Sequence, residues 1–301
     1  MPGVGGSNPL APTKTYKLQA RGLRFKALPP GQLVWSLPPL TLNLYQISMA
    51  GRLKILVTND DGIRSEGIIV LAKALREIGD VFVIAPDRER SAIAHSVTLH
   101  RPLRIEKVKK NYYAVDGTPA DCVHFGVNGI LPGQPHLIIS GINKGGNLGD
   151  DITYSGTVSA ALEGTLLGIP SFAVSLVSRS HFKFGTAARF AVKVARHVAR
   201  KGLPKDTFLN INVPNLDEKD VKSYRITRQG RWVHNFKSNR IVEKMDPRGR
   251  KYYWIGEGPL ISDQRGNTDI EAVSNSYISI TPLHIDLTHY PSIQELKKWR
   301  L

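Results

Sequence analysis

The sequence predicts an α/β protein with a mostly parallel, doubly wound sheet that has helices on both faces. Short apolar runs, which are typical of buried strands, occupy residues 53–58, 81–85, 136–140, 172–176 and 208–213. Segments with helical spacing separate most of these runs, and strands that alternate with helices usually form parallel sheets. A chain of 301 residues is long enough to bury a sizeable core around such a sheet.

Four segments have the spacing or the caps of helices. The first has one apolar face, formed by Ile68, Leu71, Leu75 and Ile78. Gly79 follows where helices commonly end. Thr118 and Pro119 predict the start of the second helix, because Thr favours the N-cap and Pro the first helical position. The spacing predicts two more helices at residues 157–167 and 187–200.

After Pro214 the pattern changes to short strand-like pieces with polar turns. Residues 224–227, 231–236 and 251–255 predict a β-hairpin extension at about residues 224–256. A final strand at 277–281 and a helix at 292–299 follow. The extension contains more aromatic side chains than a solvated arm usually exposes, namely Trp232, Phe236, Tyr252, Tyr253 and Trp254. We therefore expect it to pack on a neighbouring subunit; the alternative is that it folds back over its own domain.

Composition excludes several classes of protein. One cysteine, Cys122, excludes an internal disulfide framework and a cysteine-built zinc site; it is typical of a reducing compartment, so we expect a cytoplasmic protein. No run of eighteen apolar residues occurs, which predicts no transmembrane helix and no membrane partner. The net charge of +16 predicts a surface that attracts phosphates, nucleotides, nucleic acid or acidic lipid.

Residues 1–48 differ from the rest of the chain. They contain five basic side chains, no acidic one and seven of the nineteen prolines. Paired prolines interrupt both helix and strand, so we predict an accessory extension without a packed core. A targeting peptide is the alternative. The folded domain is predicted at 49–301, with Met49 as a candidate internal start.

Polar residues follow three of the predicted strands, at the sheet edge where α/β proteins bind ligands. Asp60 and Asp61 follow the first strand, and adjacent carboxylates repel each other unless a cation neutralises them. An ordinary turn capped by Asp is the alternative. A charged segment, 86–91, follows the second strand, and a glycine-rich segment, 140–149, follows the third. The glycine-rich segment matches neither the P-loop nor the dinucleotide-binding pattern, which argues against both classes.

Residues 154–158 lead directly into a predicted helix. Free N–H groups and the positive end of the helix dipole form an anion site there, beside two hydroxyl groups. N-capping by Ser155 or Thr157 is the alternative, and both interpretations can hold together. A cation site and a phosphate site at one sheet edge together predict metal-assisted phosphoryl chemistry.

Seven motifs in this order resemble the SurE family of stationary-phase survival nucleotidases. They are ILVTNDDG (55–62), APDRERS (85–91), DGTPADCV (116–123), SGINKGGN (140–147), YSGTVSAALEG (154–164), Thr268-Asp269 and SITPL (279–283). The resemblance covers residues 53–290. It implies a Rossmann-like core, a hairpin extension, and a C-terminal segment that is exchanged between subunits of a homodimer or homotetramer.

The resemblance also implies roles for individual residues. The implied ligands of one divalent cation per subunit, Mg²⁺ or Mn²⁺, are Asp60, Asp61, Ser91 and Asn143. The implied phosphate-binding residues are Asn147, Ser155, Gly156 and Thr157. The implied activity is the hydrolysis of nucleoside 5′- and 3′-monophosphates, with short polyphosphate as a further substrate, and Asp60 or Asp61 would orient or deprotonate the attacking water.

Two other functions remain open at this stage. A non-catalytic sensor could use the same pocket to bind a metal and a nucleotide. A nucleic-acid-binding protein would account for the net charge, although no recognised nucleic-acid motif occurs. Among the smaller features, His95 lies near Ser91 and could assist proton transfer. We expect His124 to be a core or capping residue, Cys122 to be a small core residue, and His234 to lie at the surface or to reach a neighbouring subunit.

Overall fold

The computed structural model describes residues 52–233, 241–255, 261–262 and 266–300. The strands of this part of the chain are β1 (Leu53–Thr58), β2 (Gly79–Pro86), β3 (Ile105–Lys109), β4 (Tyr112–Val115), β5 (Leu137–Lys144), β6 (Ser171–Val177), β7 (Thr207–Pro214), β8 (Ser223–Ile226), β9 (Trp232–Val233), β10 (Ile241–Met245), β11 (Lys251–Ile255), β12 (Ile261–Ser262) and β13 (Tyr277–His284). Its α-helices are α1 (Glu66–Leu75), α2 (Pro119–Phe125), α3 (Gly156–Leu166), α4 (Phe184–Lys201), α5 (Asp269–Ser274) and α6 (Tyr290–Leu296). A π-helical turn, Gly126–Ile130, and two 3₁₀ turns, Gly149–Thr153 and Glu218–Asp220, complete it.

The central sheet has nine strands in the order β3-β4-β2-β1-β5-β6-β7-β13-β8. The six strands from β4 to β7 pair in parallel. β3 on β4 and β13 on β7 are antiparallel, and β8 is parallel to β13. The mostly parallel sheet predicted from the sequence is therefore confirmed, and the carboxyl ends of β1 and β5 are neighbours at its centre.

Helices cover both faces of the sheet, which confirms the doubly wound class. Alternate residues of β1 face opposite layers: Ile55 packs in a core with residues of α1 and α4, and Leu56 packs in a core with Cys122 of α2. The expectation for Cys122 is confirmed, since its side chain is fully buried. Among the described helices, none is both long enough and apolar enough to cross a bilayer.

Gly79 does not end the first helix, contrary to the sequence prediction. The helix ends at Leu75, and Gly79 is the first residue of β2. A Cβ on Gly79 would lie 2.3 Å from the carbonyl oxygen of Leu53 on β1. The glycine is therefore needed for close approach of two strand backbones rather than for a helix cap.

The segment predicted as one hairpin extension forms three different structures. β8 is the edge strand of the central sheet. β9 pairs with β12, so the predicted pairing within 224–256 is wrong for this strand. Within the described part of this segment, β10 and β11 alone form a hairpin, in antiparallel register. The β3–β4 hairpin was not predicted, because β3 is exposed along its whole length and lacks an alternating apolar pattern.

Several sequence predictions concern residues outside the described part of the chain, including the 1–48 extension, His234 and Phe236. Of the remaining aromatic residues of the extension, Trp232 packs on its own domain. Its indole Nε1 donates to the carbonyl oxygen of Leu148 at 3.2 Å and to Asp151 Oδ2 at 3.0 Å. Tyr252, Tyr253 and Trp254 of β11 are exposed.

Candidate active site at the carboxyl edge of the sheet

Asp60 and Asp61 lie in a tight turn that follows β1 at the centre of the sheet. The amide of Asn59 closes the turn by donating from Nδ2 to the carbonyl oxygen of Gly62 at 3.0 Å. Gly62 has a φ of +92°, which a residue with a Cβ adopts only with strain. The turn considered as an alternative is thus present, and it places both carboxylates at the ligand-binding edge.

Asp60 is buried with only 5% of its surface exposed. Its Oδ1 accepts a hydrogen bond from the Thr157 hydroxyl group of α3. Burial raises the pKa of Asp60 from 3.8 to about 6, and the nearby charge of Asp61 adds to the rise, although the Thr157 hydrogen bond opposes it. A cation bound beside Asp60 would therefore favour its ionised form and lower this pKa.

Asp61 links the ends of β1 and β5, because its Oδ2 accepts a hydrogen bond from the Lys144 backbone N–H at 3.1 Å. Burial raises the pKa of Asp61, and the carboxylate of Glu89 raises it further, whereas Lys144 lowers it. The sequence pattern did not single out Glu89. The two adjacent aspartates concentrate negative charge at this edge, which favours a cation, and the charge of Glu89 is close enough to act on Asp61.

The structure brings Asn143 and the segment of Ser91 to the two aspartates. Asn143 precedes Lys144 in β5, and its Nδ2 donates to the carbonyl oxygen of Gly145 at 3.0 Å, which leaves Oδ1 as a possible cation ligand. The backbone N–H of Arg90 donates to the carbonyl oxygen of Asp60 at 2.7 Å. The Ser91 hydroxyl group donates to Glu89 Oε1 at 2.7 Å.

The N-terminus of α3 contacts Asp60 directly. A Cβ on Gly156 would lie 2.8 Å from the Cβ of Asp60, so only glycine allows this approach. The Ser155 Oγ caps the helix by accepting from the Val158 N–H at 3.0 Å, which confirms the capping interpretation for Ser155. The backbone N–H of Gly156 belongs to the first turn, where a helix offers no acceptor, so it could donate to an anion beside Asp60. The Thr157 N–H also acts on the Asp60 carboxylate, so an anion would share it.

Asn147 is buried in a network of amide hydrogen bonds that the sequence pattern did not predict. Its backbone N–H donates to Asn212 Oδ1 at 2.8 Å, and its carbonyl oxygen accepts from the side chains of Asn210 and Asn212. Its own Nδ2 donates to Ser175 Oγ at 2.7 Å. The sequence did offer one sign of this network: two alternate residues of the otherwise apolar strand β7, Asn210 and Asn212, are asparagines. The network attaches the glycine-rich segment to β6 and β7 next to the site.

The donors at this edge fit a hard divalent cation. Among the described residues, no three His, Cys, Asp or Glu side chains converge as a metal site. A cation here would therefore be bound by the two aspartates together with hydroxyl and amide oxygens, a set that suits Mg²⁺ or Mn²⁺ better than softer metals. Asn59 Oδ1, beside the aspartates, is buried without a hydrogen-bond partner among the described residues.

The raised pKa of Asp60 predicts the pH dependence of stability without metal. Because its pKa is higher in the folded chain, the native state gains stability from the bound proton at low pH and loses it as the pH rises through about 6. The shift from 3.8 to about 6 corresponds to a total loss on the order of 3 kcal/mol, of which about half falls above pH 5, because the unfolded carboxyl group is already ionised there. In chelator, raising the pH from 5 to 7.5 should therefore destabilise the native chain more than the Asp60→Asn variant.

Urea unfolding of both proteins at the two pH values measures this difference, which includes the coupling of Asp60 to Asp61, since the more distant titrating groups contribute about equally to the two chains. Asp80→Asn is a suitable control, because Asp80 lies at the opposite edge of the sheet in an exposed ion pair with Arg52. The same pH dependence in the native and Asp60→Asn proteins would contradict the prediction.

Two of the three histidines singled out in the sequence, His95 and His124, contact the same carboxylate, Glu163. His95 Nε2 is 2.5 Å from Glu163 Oε2, and His124 Nε2 is 2.9 Å from Glu163 Oε1. His124 is partly exposed and forms an ion-pair contact, so the expectation of a core or capping residue is wrong. Glu163 was missed, because a glutamate within a helix gives no local signal of burial.

The fold and this site define an α/β protein whose central sheet carries paired carboxylates at its carboxyl edge, in contact with the N-terminus of a helix. The family model described as "Survival protein SurE" matches residues 55–235, and the chain belongs to this family. The proteins named 5′-nucleotidase SurE from Geotalea daltonii and Geotalea uraniireducens are 53% and 54% identical to it over 250 residues. Each match covers 83% of this chain and 100% of the relative.

A solved structure supports the same family membership. The crystal structure of SurE protein from Aquifex aeolicus matches this chain with a TM-score of 0.71 and 44% sequence identity. The match covers 81% of this chain and 98% of the solved chain. The predicted resemblance to the SurE family is therefore confirmed, together with the α/β fold that it implies.

Proposed function

We propose that this chain is a divalent-metal-dependent phosphatase that hydrolyses nucleoside 5′- and 3′-monophosphates and also accepts short polyphosphate. The main support is one contact: the first turn of α3 touches the buried Asp60 at Gly156, so a cation site and an anion site share one boundary. The name 5′-nucleotidase carried by relatives about half identical to the chain agrees with this chemistry.

The residues of the site divide the work. Asp60, Asp61, Ser91 and Asn143 would hold one Mg²⁺ or Mn²⁺, which when bound supplies positive charge that stabilises the transferring phosphoryl group and lowers the pKa of water. The first-turn N–H groups of α3 bind the phosphate oxygens, with the Ser155 hydroxyl group as a further donor. The Thr157 hydroxyl group donates to Asp60 and its backbone N–H acts on the same carboxylate, so Thr157 would meet the phosphate through an N–H that it shares with Asp60. Asn147 keeps the glycine-rich segment in place through its amide network.

The two aspartates have different surroundings and therefore different roles. Asp60 is buried and bound by Thr157, which suits a fixed cation ligand. Asp61 is partly exposed, and only its Oδ2 contacts the Lys144 N–H. We assign to Asp61 the orientation and deprotonation of the attacking water.

A phosphate-release screen tests the proposal. We expect release from 5′- and 3′-mononucleotides with Mg²⁺ or Mn²⁺, and loss of release in chelator that added metal restores. Release that persists unchanged in chelator would contradict the metal dependence. Nucleotide binding without release under any metal would favour the sensor, and salt-dependent binding of a random duplex without release would favour the nucleic-acid-binding protein.

We also propose that the chain forms a homodimer or homotetramer in the cytoplasm, with the β10–β11 hairpin and the C-terminal segment at subunit contacts. A two-stranded hairpin is marginal in water by itself. This one exposes Ile241, Met245, Tyr253 and Trp254, each by 59–64%. The C-terminal segment exposes Leu287 by 92% and Trp299 by 63%. Apolar surface of this extent is typical of interfaces, and it supports the exchange of a C-terminal segment.

Replacing residues 241–255 by a short Gly-Ser linker should therefore reduce the mass in solution, measured by light scattering. The replacement leaves Trp232 and its contacts with the domain in place. A melting curve checks that the remaining domain is folded. An unchanged oligomer after this replacement would show that the hairpin is not an interface.

A further inference from the structure

Glu163 connects three separate segments near the site, and the proposed reaction does not use it. It lies in α3, is 5% exposed, and contacts His95 at 2.5 Å and His124 of α2 at 2.9 Å. A buried carboxylate is costly unless it is paired and hydrogen-bonded. The hydrogen bond from His95 is the largest of the effects that lower the pKa of Glu163, and the charge and hydrogen bond of His124 act in the same direction. The two imidazoles thus stabilise an ionised Glu163.

His95 belongs to the irregular segment that leads from β2 to β3 and includes Ser91. Next to it, the backbone N–H of Ala94 donates to the carbonyl oxygen of Tyr154, just before α3, at 3.0 Å. The Thr118 hydroxyl group, at the N-cap of α2, donates to the carbonyl oxygen of Ser96 at 2.7 Å. We call residues 94–98 the anchor segment, because these contacts fix them to the starts of α2 and α3.

The chain between the catalytic edge and the anchor segment has a strained backbone. Ala92, just before the anchor segment, and Ala94, its first residue, have φ angles of 54° and 55°, a left-handed conformation that residues other than glycine rarely adopt. Arg90 is attached to Asp60 on one side, and His95 is attached to Glu163 on the other. Ser91 lies between these two attachments, so its position depends on both.

Helix α3 carries the partners of both attachments. Thr157, in its first turn, donates to Asp60, and Glu163, six residues later, contacts His95. One rigid helix therefore defines where Asp60 and the segment of Ser91 lie relative to the phosphate-binding N–H groups. The contacts of Thr98 with Asp121, at 2.9 and 2.7 Å, hold the far end of the anchor segment and lie seven residues from Ser91.

We propose that Glu163 and His95 are positioning residues that hold Ser91 in register with the aspartate pair and the first turn of α3. This inference rests on the proposed function, in which Ser91 is a cation ligand. His124 supports Glu163 from α2 but is not part of the segment, so its contribution to the position of Ser91 is smaller.

Hydrogen exchange and Mn²⁺ binding together test the proposal on four variants of the full chain: His95→Ala, His95→Gln, Glu163→Gln and His124→Ala. Exchange of the backbone amides of residues 91–98 is measured in chelator, and Mn²⁺ affinity is measured from the free ion by electron paramagnetic resonance. We expect His95→Ala to speed the exchange and to weaken Mn²⁺ binding about tenfold, the scale on which residues behind metal ligands act. His95→Gln keeps a donor for Glu163 and should recover part of both losses.

The other variants separate positioning from general stabilisation. Glu163→Gln should speed the exchange and weaken Mn²⁺ binding as much as His95→Ala does. His124→Ala should change the exchange of residues 91–98 much less, even if it lowers the melting temperature as much as His95→Ala does. His197→Ala is the matched control, because His197 is exposed on α4. Unchanged exchange and Mn²⁺ affinity in His95→Ala, or equal effects of His95→Ala and His124→Ala, would overturn the proposal. If the native protein binds no Mn²⁺ but His95→Ala still exchanges faster, the contact of His95 with Glu163 does hold the anchor segment. The absence of Mn²⁺ binding would then contradict the proposed function.

Discussion

Asp61→Asn is expected to reduce phosphate release at saturating metal at least about a hundredfold, the scale of losing a transition-state electrostatic contact. The substitution keeps the shape of the side chain and its contact with the Lys144 N–H, but it removes the charge and the proton acceptor. The loss should lie mainly in kcat, because the phosphate-binding turn of α3 does not contain Asp61. Steady-state kinetics across a metal titration measures it.

The control for this experiment is Asp80→Asn. Asp80 is an exposed aspartate of β2, and its neighbour Arg52 lies at the amino edge of the sheet, away from the site. Exposed ion pairs contribute little to stability, so this variant should keep native activity and melting temperature. If Asp61→Asn turns over almost as fast as the native protein, Asp61 does not take part in the reaction.

Strong local signals account for the parts of the fold that the sequence predicted well. The strands at the centre of the sheet are buried on both faces and therefore consist of continuous apolar runs, as in β1 and β6. The helix at Thr118 begins where predicted, with a capping box between Thr118 and Asp121. The edge strand β3 lacks such signals: it is exposed throughout and was missed.

The position of the site followed from topology, whereas its inner contacts did not. Residues at the carboxyl ends of parallel strands meet at one edge, so the amino-acid sequence is enough to group Asp60, Asp61 and Asn143. The assignment of Ser91 and Asn147 needed the family motifs, because a lone serine or asparagine in a loop has many ordinary roles. The contacts of Glu163 join segments that are 39 and 68 residues away in sequence. Such pairs depend on packing that no local pattern encodes.

The same distinction explains the error at Gly79. A glycine after a helical run matches the usual end of a helix, so the local pattern predicts a cap. The backbone of β1 requires the glycine instead, as the 2.3 Å approach to the Leu53 carbonyl oxygen shows. Gly156 is a second glycine that no local pattern explains, because the first position of a helix does not require a glycine.

Gly156→Ala is expected to lower kcat/KM for mononucleotides about a hundredfold, the scale of a misplacement of about 1 Å at a catalytic group. The added methyl group would lie 2.8 Å from the Asp60 Cβ and 3.2 Å from the Pro119 Cγ, so either Asp60 or α3 must shift. Both shifts separate the cation ligands from the first-turn N–H groups. The fold should persist, because alanine is favourable in a helix and Gly156 has no positive φ.

Kinetics and inhibition by phosphate, with a melting curve, distinguish this effect from unfolding. Gly185→Ala provides the matched control: it makes the same change in the first turn of α4, where the nearest atom belongs to the flexible end of Arg189 at 3.4 Å. The control should keep native activity, while Gly156→Ala should lose both turnover and phosphate inhibition. Retention of native kcat/KM by Gly156→Ala would mean that the boundary between Asp60 and α3 is not where the phosphate reacts.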